Sequence, residues 1–122
     1  MIKVVFCLAR RPELSRDAFQ RYWRETHAPL VAAAKNALAI RRYIQCHTVP
    51  TAIDDALRAA RGMADDYDGV AELWWDDEAS LVAATASAEG ARHAAILVED
   101  EAKFVDFSRS RIFFVREHAV IA

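Results

Sequence analysis

The sequence predicts one α+β domain over residues 1–122, of the ferredoxin-like β-α-β-β-α-β type: a four-stranded antiparallel sheet with its main helices on one face. Three observations carry this. Runs rich in β-branched and aromatic residues recur four times, over residues 2–9, 38–48, 70–75 and from 111 onward. Capped, helix-period stretches separate the first run from the second and the third from the fourth. The strands carry apolar residues on both sides, which a sheet needs only when both faces are covered.

The first strand alternates Ile2, Val4, Phe6 and Leu8 against Val5, Cys7 and Ala9. Pro12 breaks it. Ser15 is an N-cap, Asp17 suits the first turn, and Leu14 can staple onto Phe19. The helix then runs from about Arg16 to about Lys35. Pro29 cannot donate to the Glu25 carbonyl and crowds it, so a kink is expected near His27. In the second strand Tyr43, Gln45 and His47 fall on one face, Ile44 and Cys46 on the other. Thr51 caps a short helix with Asp54 and Asp55 early, Arg58 and Arg61 late, and Gly62 at its end. After the third strand, Asp76 or Asp77 caps a helix through Leu81 and Val82 that stops before Gly90. A further helical stretch covers about residues 91–106, with Ala94, Leu97, Val98, Phe104 and Val105 inward. The last strand begins at Arg111 to Val115, with room to reach Ile121.

One helical layer covers one face of such a sheet. The other face should meet a second molecule, and a symmetric homodimer closing two sheets face to face is the simplest answer.

Composition narrows the function classes. A formal charge of −2 and a pI near 6.1 leave no basic footprint for nucleic acid. No apolar run reaches membrane-spanning length, and no leader pattern opens the chain. Cys7 and Cys46 lie in apolar strands and are expected as buried, reduced thiols of a cytoplasmic protein. No His-x-x-x-His pair, calcium loop, phosphate-cradling loop, dinucleotide fingerprint or nucleophile elbow is present. Chemistry is therefore left to histidine, tyrosine and carboxylates.

Phe19, Trp23 and His27 are spaced four apart and share one helix face, beside the expected backbone break. His27 is a candidate acid/base or substrate donor, against the plainer alternative of a half-buried helix histidine with a satisfied ring nitrogen. Glu25 is too close in sequence to orient it across the helix, so any partner must come from elsewhere. Tyr43 and His47 either line the same cavity or form a polar pair near a sheet edge. Trp74 and Trp75 point to opposite faces, one under the helices and one toward the dimer interface, with either a candidate pocket wall. His93 and His118 are expected to be exposed or at a rim.

Residues Met1 to Leu8, the element Phe19-x-x-Tyr22-Trp23-x-x-x-His27-Ala28-Pro29-Leu30, the run Arg42-Tyr43-Ile44-Gln45 and the tail from Asp100-Glu101-x-x-Phe104-Val105-Asp106 to Glu117 resemble the EthD family. The resemblance implies a dimeric α+β barrel built from two ferredoxin-like protomers. The family is named for an accessory protein of bacterial ether degradation. Relatives include polyketide dehydratases and decarboxylases, lactone isomerases, cofactor-free monooxygenases and haem-handling proteins, with a pocket between sheet and helices. The expected function is acid/base or cofactor-free oxidative chemistry, of oxidoreductase, lyase or isomerase type, on an apolar cyclic or carbonyl-bearing compound. His27 would be catalytic, with Phe19, Trp23, Tyr43, His47, Trp74 and Trp75 as substrate-binding residues. No cofactor is expected. The alternatives are a non-catalytic binder or accessory subunit of a degradation pathway, and a haem protein with a histidine axial ligand, for which no attachment motif speaks.

Overall fold

Strands β1 (Ile2–Leu8), β2 (Arg42–His47), β3 (Gly69–Trp75) and β4 (Arg111–Val115) pair in a computed structural model that describes residues 1–122. All neighbours are antiparallel and the order is β2-β3-β1-β4, which puts the first and third strands in the centre. This is the ferredoxin-like fold. Ile2, Val4 and Leu8 of β1, with Ala71 and Trp75 of β3, are buried beneath the helices.

The helices are α1 (Arg16–Tyr22), a π-helical turn (Trp23–His27), α2 (Ala28–Ala33), α3 (Ala52–Arg61), α4 (Glu78–Ala86) and α5 (Ala88–Glu101). Ser15, Thr51, Asp77 and Ser87 cap α1, α3, α4 and α5, each accepting from the backbone N–H three residues on. Gly62, at φ 60°, ends α3 in the left-handed conformation that glycine adopts without strain. One core cluster packs Ile2, Val4, Val31, Ala34, Leu38, Ile40 and Trp75. The other packs Leu8, Phe19, Trp23, Ala71, Phe104 and Val105. Tyr43 and Leu73 touch both.

Several expectations need correction. The helix expected over 91–106 starts earlier, at the Ser87 cap, and ends at Glu101. Pairing with the end of β1 draws the chain out of the helix: Arg10 bridges Val105 and the Asp106 N–H donates to the Ala9 carbonyl. Phe104 and Val105 are buried, as expected, but from this turn. The second strand starts at Arg42 because Leu38 and Ile40 are taken into the core and the Trp75 indole donates to the Leu38 carbonyl at 2.8 Å. The last strand stops at Val115, and residues 116–122 lie exposed. The thiols are not both buried: Cys46 is exposed and Cys7 half-buried. Alternation places both on the sheet face turned away from the helices, which is open in a single chain. His93 is half-buried, not exposed.

Candidate functional site

The expected kink is a widened helical turn. The Ala28 N–H bonds back to the Trp23 carbonyl, five residues earlier, where Pro29 follows without a donor of its own. The Trp23 carbonyl also accepts from Gln45 Nε2 at 3.0 Å, which ties the turn to β2. Just before the widened turn, Gln20 Nε2 donates to the Thr48 and Asp68 carbonyls. The widened turn delivers Trp23 and His27 into the layer between helix and sheet, 1% and 5% exposed.

His27 Nδ1 lies 2.8 Å from Asp100 Oδ2, and the Tyr22 hydroxyl donates to Asp100 Oδ1 at 2.6 Å. Asp100 is the orienting partner, supplied by α5 from across the helical layer. Burial acts to raise its pKa, but the Tyr22 and His27 hydrogen bonds prevail and hold it below the ordinary carboxylate range. An ionised carboxylate only accepts, so Nδ1 carries the hydrogen and Nε2 keeps its lone pair. Nε2 has no hydrogen-bond partner in the chain. Burial lowers the His27 pKa, partly offset by the Asp100 hydrogen bond and charge, so the ring is neutral at neutral pH. Burial, then Asp100, pushes Tyr22 up to about 12 and keeps it a donor.

His27 lines a hollow of about 60 Å³ with Trp23, Tyr43, Phe6, Leu73, Leu97, Glu101 and Phe104 among its walls. That is room for about two waters at liquid density. Phe104 lies against the imidazole, ring centroids 5.1 Å apart. Tyr43 is on the same wall system, and its hydroxyl accepts from Gln45 Nε2 at 2.7 Å. Its hydrogen has no acceptor in the chain and is free for a ligand. Burial raises its pKa, so it stays protonated.

The other candidates are placed differently. Phe19 stands behind the wall, fully buried between Trp23 and Phe104, at 5.8 and 5.4 Å between centroids. His47 stacks on Trp23 at 4.5 Å and bonds Gln45 Oε1, one shell away from the hollow. Gly69 makes that stack possible, since a Cβ there would sit 2.5 Å from the Trp23 ring and 2.8 Å from the Cys46 carbonyl oxygen. Neither Trp74 nor Trp75 reaches the hollow. Trp75 is under the helices. Trp74 is on the opposite face, flanked by Lys3 and Arg42, with its indole donating to Glu117. A larger groove of about 630 Å³ runs between α4 and β4, but its one imidazole, His118, is exposed and unoriented.

Sequence reasoning assigned no role to Asp100 or Glu101. Glu101 had left a signal: it follows Leu97 by four and Ala94 by seven, a carboxyl on the apolar stripe of α5. Asp100 stood only in the tail that resembles the EthD family and left no signal of its own in the helix period, because its contacts to Tyr22 and His27 span 78 and 73 residues.

The EthD domain family matches residues 11–108, most of the chain. The chain belongs to the EthD family. Among solved structures, an EthD family protein of Bacillus halodurans C-125 superposes with a TM-score of 0.63 at 22% identity, covering 97% of this chain and 99% of that one. An EthD-like protein of Ralstonia eutropha JMP134 gives 0.62 at 18% identity, covering 98% and 92%. A dimeric ferredoxin-like protein of Bacteroides fragilis NCTC 9343, of unknown function, gives 0.59 at 7% identity over 95% of each chain. Likenesses this distant establish the fold alone. No curated protein sequence matches this EthD chain. None of its helices is long and apolar enough to cross a membrane.

Proposed function

We propose that this EthD-family chain is a small-molecule enzyme in which His27 takes and returns a proton beside the carbonyl of an apolar, cyclic compound. The supporting observation is the His27–Asp100 pair, which leaves a neutral, unpartnered Nε2 on an apolar hollow. Tyr43, with its hydroxyl hydrogen uncommitted, would steady the enolate oxygen, and Trp23, backed by Phe19, would form the apolar wall. Enolate formation is the step shared by isomerases, lyases and cofactor-free oxidations, so the hollow supports the class of step and not one of the three outcomes.

The test uses cyclohexanone in D₂O, with deuterium exchange at its α-carbons followed by NMR. Exchange should rise with pH through a midpoint below the ordinary imidazole range, because burial disfavours protonated His27 and the neutral ring is the base. Asp100→Asn should cut the rate by about 10²-fold or more, since an amide can donate to Nδ1 and move the ring hydrogen to Nε2. A native-like rate in that variant would remove the assigned role of the pair. Binding of cyclohexanone without exchange would favour the carrier reading.

The working form is proposed to be a homodimer. The support is the sheet face turned from the helices, where Val5, Ile44, Val70 and Phe113 share the surface and Phe113 is 48% exposed. One structural relative is described as dimeric. Sedimentation equilibrium should return twice the chain mass of 13.7 kDa, and Phe113→Glu should return the single mass. A native monomer at micromolar concentration would end this part.

A further inference from the structure

We infer that Glu101 is a second proton-transfer group of the site, handing its carboxyl proton to the substrate's carbonyl oxygen while His27 removes a proton from the neighbouring carbon. The inference rests on the His27 reading and adds the acid to the base.

Glu101 is the one carboxyl on the walls of the hollow. It also lines a second, outer groove of about 330 Å³ between α5 and β4, with Val98, Phe107, Ser110, Arg111 and Ile112. Only Phe6 and Glu101 are common to the two spaces. A six-membered ring is larger than the small hollow, so it would extend past this wall toward the outer groove, and Glu101 is the polar group it would find at the boundary. The side chain makes no hydrogen bond or ion pair, unlike Asp100 beside it, which has Tyr22, His27 and Lys103. An uncommitted carboxyl on an apolar stripe has no evident structural reason. The charged and titratable groups around it are His27 from the π turn, Tyr43 from β2, Asp100 on its own helix, and Arg111 from β4 across the outer groove. Burial, then the Asp100 charge, raises its pKa to about 7, so the protonated form is available in the same range in which His27 is neutral.

The step balances without a co-reactant. The α C–H bond breaks toward His27 Nε2, its electron pair forms the C=C bond, and the carbonyl π pair takes the proton from the Glu101 O–H. The products are an enol, a Glu101 carboxylate and a His27 imidazolium, and the reverse step restores all three groups.

Cyclohexanone accepts hydrogen bonds but cannot donate, so Glu101 can join Tyr43 in bonding its oxygen only while the carboxyl is protonated. In the native protein, its dissociation constant by NMR titration should rise several-fold as pH increases through about 7. The α-exchange rate should show a falling limb over the same range, beside the rising limb of His27. Glu101→Gln should lose that falling limb and about 10- to 100-fold in exchange rate. A Glu101→Gln protein with the native rate and the native falling limb, alongside an inactive His27→Gln, would overturn the role of Glu101 and leave His27 standing. Native-rate exchange by His27→Gln would overturn the base and the acid together, as would a native protein that neither binds nor exchanges the ketone.

Discussion

His27→Gln should abolish α-proton exchange on a bound cyclic ketone, by about 10²- to 10⁴-fold, and leave the fold in place. Glutamine roughly preserves the volume and can still bond Asp100, so neither the carboxylate nor the Tyr22 hydroxyl is stranded. It has no group that accepts a proton near neutral pH. Circular dichroism and denaturant midpoint should stay close to native while exchange disappears. A purely structural histidine would give the opposite pattern: a shifted midpoint with exchange intact. That pattern would sink the functional reading of the site.

Phe104→Ala should destabilise the protein by about 3–5 kcal/mol, measured by urea unfolding. Phe104 is 1% exposed, and its ring centroid lies 5.4 Å from Phe19, 5.0 Å from Tyr22 and 5.1 Å from His27. Removing it opens a cavity against the imidazole. Water admitted there relieves the burial that depresses the His27 pKa, so the NMR titration of the ring should move up toward the ordinary imidazole range. The sign for stability follows. In the native protein the folded-state pKa of His27 is below the unfolded one, so its neutral form contributes stability that is complete above the unfolded pKa and lost as pH falls through the folded pKa. Phe104→Ala should flatten that acid-side loss as well as lowering the plateau. An unfolding change under about 1 kcal/mol would mean that the site collapses to fill the space.

The element order was readable because it depends on local physics: capping residues, β-branched runs and the Pro29 defect act over a few residues. The boundaries that were misplaced mark long-range competition. Residues 102–106 look helical by periodicity, yet bridging to the end of β1 and the Asp106–Ala9 hydrogen bond satisfy backbone groups that another turn of helix would have satisfied locally. Cys7 and Cys46 looked buried because apolar neighbours in sequence do not say which sheet face a second layer covers.

For the site, residue spacing by itself determined that Phe19, Trp23 and His27 share one face beside a helix defect, since 3.6-residue periodicity and a missing proline N–H are properties of the local chain. What His27 meets was set by packing across the helical layer. Asp100 and Glu101 arrive from α5, 73 and 74 positions further along, and the two tryptophans of β3 are carried away from the hollow by the alternation and register of the sheet. The physical reason is that an imidazole's tautomer and pKa are set through space, by a hydrogen bond and by exclusion of water, and neither is encoded in the residues next to it in the chain.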